Sequence, residues 1–333
     1  MVPLSVLDLA PVPEGSDAAR ALRNSLDLAR SAERLGYRRF WMAEHHSMPG
    51  IASAATAVAL AYVGAGTSTI RIGAGGVMLP NHAPLVIAEQ FGTLESLFPG
   101  RIDLGVGRAP GTDRSAALAL RRNLASDENQ FPSDVVELID YFEASKQGQA
   151  VRAIPGEGLR VPVWILGSSL FGAQLAAMLG LPYAFASHFA PGQMTEAIAV
   201  YRERFQPSRQ LDRPYVMLGF NAFAAESREE AELLATSVQQ AFVNLHTGRP
   251  ARLPPPVRDF AGGLPLQARA LLRQVLSCSA IGDAAAVREQ IEAFVQRTGA
   301  DELMITSQIY DHQARLRSYE IVAQAMSLSS SRT

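Results

Sequence analysis

Glu44, His45 and His46 stand side by side in the segment RRFWMAEHHSMPG, directly after the apolar residues of a predicted strand. The chain has only six histidines, so an adjacent pair behind a carboxylate concentrates groups that move protons or bind metals. Neighbouring side chains of a strand face opposite sides, so His45 and His46 are not expected to bind one ion together. The pattern therefore predicts no metal site, with one imidazole facing an active site and the other supporting the fold.

A second group of residues could bind a phosphate. The segment LGSSLFG places Gly167, Ser168 and Ser169 at the start of a predicted helix, where unpaired backbone N–H groups and the helix dipole attract anions. Taken alone, the two serines also fit an ordinary helix N-cap. Arg108, after an earlier predicted strand, could pair with the same phosphate through two hydrogen bonds, although a surface ion pair is the alternative.

Gly75 and Gly76 interrupt a predicted strand in which β-branched residues are expected. Glycine weakens a strand unless it forms a bulge, packs closely against a neighbour or lets a ligand approach the backbone. We therefore predict a cis or bulged backbone here, on which a flat ring could lie, with helix packing against the sheet as the alternative. A phosphate site, a bare glycine surface and an imidazole together suit flavin mononucleotide (FMN).

The composition limits the classes of partner. The 333 residues carry a net charge of −2 without a block of like charge, which disfavours nucleic acid or an anionic membrane as a partner. Cys278 is the single cysteine, so no intramolecular disulfide is expected and a reducing, cytoplasmic compartment fits best. The N-terminus has no basic segment before its apolar run, and the apolar segment IASAATAVALAYVGAG is too short for a membrane span.

Eight short apolar segments predict strands, and the longer amphipathic segments between them predict helices. The predicted strands are 4–12, 38–46, 71–79, 101–109, 161–167, 181–189, 214–225 and 301–309. They are apolar on both faces, as parallel strands covered by helices must be. The first helix is predicted to have Ser16 as its N-cap and to end before Gly36.

Eight consecutive strand–helix units favour a TIM (β/α)8 barrel that forms a single domain over residues 1–333. Two irregular segments, 110–132 and 247–267, predict insertions after the fourth and seventh strands. An open doubly wound sheet is the alternative, but its glycine fingerprint is missing after the first strand. Barrel active sites lie at the carboxyl ends of the strands, which is where the Glu44-His45-His46 segment is predicted to lie.

Four segments resemble those of the bacterial luciferase-like flavin monooxygenases. They are AEHH, GAGGVMLPNHAP, RIDLGVGRAPGTD and GLPYAFASHF, and the similarity extends over nearly the whole chain. The resemblance implies a TIM barrel that binds reduced FMN (FMNH2) supplied by a separate flavin reductase. It also implies that O2 forms a flavin 4a-hydroperoxide, which oxidises an organic substrate that we expect to be small and apolar. The segment VGRAPGTD resembles most the general monooxygenase branch of the family, whose substrates are mostly unassigned.

The resemblance assigns roles to individual residues. His45 takes the place of the family's catalytic imidazole, and Glu44 takes the place of its flavin-side carboxylate. Gly75 and Gly76 fall where the family has a non-prolyl cis peptide beneath the flavin ring. Both the flavin ring and the proton-transferring group are therefore expected at the ends of the second and third strands.

Other residues resemble the family's contacts to the rest of the flavin. The residues that match after the fourth strand and at the fifth are Arg108, Leu166, Gly167, Ser168 and Ser169. Arg122 is a further candidate for the phosphate. Luciferases have a reactive thiol where this chain has Gly107, so the resemblance does not imply light emission.

Other interpretations stay open. The same fold could use a deazaflavin and transfer hydride without oxygen, and the sequence separates this poorly from a monooxygenase. A non-catalytic flavin-binding protein is disfavoured by His45, and a metal hydrolase by the lack of converging ligands. His82 and His188 are weaker candidates for the site. Helix faces rich in Ala and Leu near 53–66 and 84–98 suggest a homodimer.

Overall fold

A closed barrel of parallel strands forms the centre of the molecule. The structure, a computed structural model, describes residues 2–108, 116, 119–120 and 130–328. The strands in these ranges are β1 (Leu4–Asp8), β2 (Arg39–Met42), β3 (Arg71–Met78), β4 (Ile102–Gly107), β5 (Val163–Gly167), β6 (Tyr183–Phe185), β7 (Val216–Ala224), β8 (Ser279–Gly282) and β9 (Glu302–Thr306). Eight of them follow the order β1-β2-β3-β4-β5-β6-β7-β9, and β9 pairs again with β1. This arrangement confirms the predicted TIM barrel.

Helices cover the outside of the barrel. The α-helices with bounds in the described ranges are α1 (Ala18–Leu35), α2 (Thr56–Ala65), α3 (Pro84–Leu97), α4 (Phe131–Phe142), α5 (Leu170–Leu179), α6 (Met194–Arg204), α7 (Arg228–His246), α8 (Leu266–Val275), α9 (Ala284–Thr298) and α10 (His312–Ala325). A short 3-10 turn, Leu79–Asn81, follows β3. Within these ranges, no helix combines the length and the apolar character that crossing a membrane requires.

The ends of α1 show how the sequence sets a helix boundary. Asp17, and not the predicted Ser16, is the N-cap, and its carboxylate accepts a hydrogen bond from the N–H of Arg20 at 2.7 Å. Gly36 ends the helix, as predicted, with a φ of 84° in the left-handed region that glycine adopts without a steric penalty. The one-residue difference arises because serine and aspartate are about equally good N-caps.

The segment after β7 contains a helix, α8, and a strand, β8, that the sequence did not predict. β8 pairs with Asn221–Ala224 at the carboxyl end of β7, beyond the Val216–Leu218 section that pairs with β6. It therefore extends the sheet beside the barrel and does not join the ring of eight strands. A four-residue strand has too little periodicity to be distinguished from a loop by its sequence.

Paired side chains fill the amino-terminal end of the barrel. Trp41 and Trp164 meet edge to face inside the barrel, with ring centroids 5.1 Å apart. Nearer the start of the strands, a nitrogen of Arg39 lies 2.7 Å from the carboxylate of Asp103 and another lies 2.9 Å from that of Glu302. All three charged side chains are buried, which is tolerable because each charge is paired. The opposite end, where the strands finish, is the place for a functional site.

Candidate active site

The backbone of β3 is irregular at Gly75 and Gly76. The peptide bond between them is cis, and the register of β3 with β4 shifts between Gly75 and Val77, so the predicted unusual backbone is confirmed. A Cβ at Gly76 would lie 2.7 Å from the carbonyl oxygen of Gly105 and 3.0 Å from a methyl carbon of Leu166. The close packing of β3 against its strand neighbours therefore requires glycine at position 76, whereas the predicted contact with a flavin ring stays a prediction.

Glu44, His45 and His46 lie in the loop that follows β2, because this strand ends at Met42. We predicted that His45 and His46 face opposite sides because side chains alternate along a strand. This reason is wrong, since the strand ends before it reaches the two histidines. The chain turns directly after the pair, where Ser47 has a left-handed φ of 56°. The contacts of each side chain, and not a strand register, must therefore decide where it points.

Glu44 connects this loop to β3 and to the turn that follows β3. Its Oε1 lies 2.7 Å from Nε2 of His46 and 2.9 Å from Nε2 of His82. Its Oε2 accepts a hydrogen bond from the N–H of Met78 at 3.1 Å, and its own N–H donates to the carbonyl of Gly76 at 3.3 Å. Both carboxylate oxygens are thus used within the protein. The predicted flavin contact of Glu44 stays a prediction, and in this geometry Glu44 orients the groups around it.

The charge of Glu44 is maintained although its side chain is only 3% exposed. Burial raises the pKa of this carboxyl group, but the contacts with His82 and His46 and the hydrogen bond from Met78 outweigh burial and lower the pKa below its usual value. An ionised carboxylate can accept from two imidazoles and one backbone N–H at the same time. The Glu44 side chain therefore acts as an anionic centre that holds both histidines in place.

His45 and His188 interact across the barrel. His188 lies in the loop after β6, and β6 is on the side of the ring opposite to β2. Burial, and after it the neighbouring His45, lower the pKa of His188 to about 4, so His188 is neutral at neutral pH. The two imidazoles are therefore near enough for the charge of one to affect the other, although their loops follow strands on opposite sides of the ring. The orientation of His45 towards the mouth and its catalytic role both stay predictions.

Arg108 lies beside the amino-terminal end of α5. It is exposed after β4, and its guanidinium carbon is 4.2 Å from the centre of the Phe171 ring in the first turn of α5. Ser169 is the N-cap of α5, but its side chain makes no capping hydrogen bond, so it does not use the first N–H groups of the helix. The structure therefore brings the predicted phosphate ligands Arg108, Ser168 and Ser169 to one corner of the mouth.

Leu166 and Gly167 connect this corner to the glycine backbone of β3. Both are half-buried at the end of β5, where Leu166 pairs with Gly107 of β4. Leu166 also packs against Gly76, whereas a Cβ at Gly107 would meet nothing closer than 3.6 Å. The predicted phosphate and ring positions are thus separated by one strand. The remaining candidate, Arg122, lies outside the described residues.

His82 is the residue whose role the sequence underestimated. It ends the short turn after β3, where its N–H donates to the carbonyl of Leu79 at 2.9 Å. Its distance from Glu44 in the sequence is large, but β2 and β3 are neighbours in the barrel. Since parallel neighbours bring their carboxyl ends together, a histidine shortly after the third strand could have been expected near Glu44.

Comparisons with known proteins identify the family. Residues 2–302 match the family model described as luciferase-like monooxygenase, so the chain belongs to this family of oxidoreductases, as the sequence motifs predicted. A luciferase-like monooxygenase of Escherichia coli strain K12 is 54% identical over 320 residues, which cover 96% of each chain. An N-acetyl-S-alkylcysteine monooxygenase of Bacillus subtilis strain 168 is 37% identical over 256 residues, which cover 75% of each chain.

Solved structures show the same fold. The crystal structure of apo-MsnO8 has a TM-score of 0.87 at 35% identity and covers 99% of each chain. The oxygenating constituent of 3,6-diketocamphane monooxygenase from Pseudomonas putida, in complex with FMN, has a TM-score of 0.71 at 17% identity over 97% of each chain. An F420-dependent secondary alcohol dehydrogenase has a TM-score of 0.72 at 16% identity and covers 97% of this chain and 98% of its own. At these lower identities the likeness concerns the fold alone.

Proposed function

We propose that this chain is a two-component monooxygenase, which receives FMNH2 from a separate flavin reductase and uses O2 to oxidise a small, apolar organic molecule. The observation that carries the proposal is the corner formed by Arg108 and the start of α5, one strand away from the irregular glycines of β3. A cation beside uncapped helix N–H groups is suited to a phosphate. Close-packed backbone without side chains is suited to a flat ring.

The donor groups present fit FMN. Its phosphate would be held by Arg108 and by the N–H groups of Ser169 and Leu170, and its ring would lie against Gly75 and Gly76. The bound flavin supplies the electrons for oxygen chemistry. The protein contributes orientation and a mouth from which water is displaced when the ligands bind.

His45 is the group that we propose moves or holds a proton at the substrate. We expect His45 to face the mouth, and its neighbour His188 is kept neutral by burial and by His45 itself. Glu44 is committed to His46 and His82, so it is a positioning residue and not a competing acid or base. We therefore propose His45, and not Glu44, as the group that acts on the substrate.

The relatives support a small-molecule substrate, since one of them is named for the oxidation of N-acetyl-S-alkylcysteine. We also propose a homodimer, because α2 and α3 expose apolar side chains, with Val58 72% and Leu97 60% exposed. Sedimentation analysis tests the dimer. The buried thiol of Cys278 is consistent with the cytoplasm as the proposed location.

The alternative is a deazaflavin-dependent oxidoreductase, since an F420-dependent dehydrogenase shares the fold. Anaerobic calorimetric titration with FMNH2 and with reduced F420 separates the two functions. We expect FMNH2 to bind more tightly, and the complex to consume O2 when air is admitted. Tighter binding of F420, without oxygen consumption, would overturn the proposal in favour of hydride transfer.

A further inference from the structure

Glu44, His46 and His82 form a compact group of metal-ligating side chains. Among the described residues, each of these three offers one ligand atom, and the atoms lie within 4.8 Å of one another. Oε1 of Glu44 is 2.7 Å from Nε2 of His46 and 2.9 Å from Nε2 of His82. Two nitrogens and one oxygen thus converge at the ends of β2 and β3.

We propose that Glu44, His46 and His82 form a binding site for a divalent transition-metal ion, with Zn²⁺ as its representative. Imidazole nitrogen and carboxylate oxygen are ligands that bind Zn²⁺ and other first-row dications. Three protein ligands are one short of a tetrahedral site, so water takes the fourth position. The site is therefore of the open, exchangeable kind and not a closed structural site.

The geometry requires only a small adjustment to accept the ion. Zinc–ligand distances of about 2.0–2.2 Å place neighbouring ligand atoms of a tetrahedron roughly 3.3–3.6 Å apart. Glu44 and the two imidazole nitrogens are at present closer than this, at hydrogen-bonding distance. Modest side-chain rotations of His46 and His82 would open the space, because their side chains are 17% and 26% exposed. The ion would then replace the protons that these hydrogen bonds share.

The surroundings support the carboxylate in a ligand role. Oε2 of Glu44 accepts a hydrogen bond from the N–H of Met78, which leaves Oε1 directed at the two imidazoles. Metal-binding carboxylates are commonly oriented by such an outer hydrogen bond. The backbone N–H of Glu44 donates a hydrogen bond to the carbonyl of Gly76, so the loop that carries this ligand is fixed to the barrel strand β3.

Metal binding would have a consequence for the activity proposed above. His45 lies between two of the ligands, so an ion that holds Glu44 and His46 would also fix the loop that carries His45. This consequence rests on the proposed function, and we expect Zn²⁺ to inhibit the oxygenase reaction. The metal site itself is tested without flavin, so its failure is distinguishable from a failure of the proposed function.

Isothermal titration of the metal-free protein with ZnCl2 tests the site. We expect one equivalent of Zn²⁺ to bind per chain, and the His46→Ala and His82→Ala variants to bind at least about 10- to 100-fold more weakly. His312→Ala is the matched control, because His312 also contacts a carboxylate, that of Asp27 at 3.0 Å, but without a second histidine. This control variant should bind Zn²⁺ as tightly as the wild type.

A spectroscopic measurement keeps the proposal testable if a variant folds poorly. Co²⁺ added to the wild-type protein should give the intense visible bands of a tetrahedral site, and excess Zn²⁺ should abolish them. Circular dichroism establishes whether each variant is folded before it is titrated. The proposal is overturned if the wild type binds Zn²⁺ more weakly than about 1 mM. It is also overturned if folded His46→Ala and His82→Ala bind Zn²⁺ as tightly as the wild type.

Discussion

Replacement of Arg108 by alanine should weaken the binding of FMN far more than that of riboflavin, which lacks the phosphate. Arg108 is exposed and lies 4.2 Å from the Phe171 ring, beside the uncapped start of α5. The loss of a hydrogen bond between charged groups costs about 1.5–3 kcal/mol, which corresponds to a loss of affinity for FMN of about ten- to a hundredfold. The lost contact with Phe171 is worth only about 0.5–1 kcal/mol, and it affects both ligands equally.

The assay is calorimetric titration of both oxidised ligands into the wild type, Arg108→Ala and Arg108→Lys. Arg108→Lys should recover part of the FMN affinity, because lysine keeps the charge but not the paired hydrogen bonds. Arg209→Ala is the control, since Arg209 is 89% exposed and pairs with Glu143 away from the barrel mouth. Equal losses for FMN and riboflavin in Arg108→Ala would refute the phosphate role of this residue.

Three further predictions concern the mouth and the stability of the barrel. His45→Ala should bind FMN as the wild type does, but its turnover of substrate should be about 10²–10⁴-fold slower. An unchanged turnover would show that His45 does not take part in the reaction. Gly76→Ala should lower the free energy of unfolding by about 1–3 kcal/mol in urea, because its Cβ would lie 2.7 Å from the Gly105 carbonyl; an unchanged stability would contradict this packing. For Glu33, burial raises the pKa, but hydrogen bonds from Thr69, Ile70 and Ser68 outweigh it and lower the pKa below 4.5. The ionised carboxylate therefore stabilises the fold above about pH 4.5, and this contribution is lost as the pH falls through the lowered pKa. Glu33→Gln should be less stable than the wild type at pH 7, and the difference in stability should be smaller at pH 3. An equal difference at the two pH values would refute this role of the Glu33 carboxylate.

The barrel could be predicted from the sequence because its strands are apolar on both faces and its helices are long. This periodicity located all eight barrel strands, and the left-handed conformation of Gly36 follows from a preference that glycine shows at helix ends. β8 was missed because its four residues carry no clear pattern. β8 pairs with the part of β7 that extends beyond β6, and this arrangement depends on the tertiary fold and not on the local sequence.

The site could be predicted in part. Parallel topology indicated that the short motifs would meet at one end of the barrel, and the structure brings Arg108 and the start of α5 together there. The sequence could not show that β2 ends at Met42, so it assigned a strand register to His45 and His46. The convergence of His46 and His82 on one oxygen of Glu44 depends on how two loops fold over each other, and no local pattern contains this information.

The most direct test of the account is a crystal structure of the protein with FMN bound. We expect the phosphate to accept hydrogen bonds from Arg108 and from the first N–H groups of α5, and the ring to lie against Gly75 and Gly76 with His45 beside it. A flavin bound elsewhere on the barrel, or in the mouth with its phosphate away from Arg108 and α5, would contradict the account.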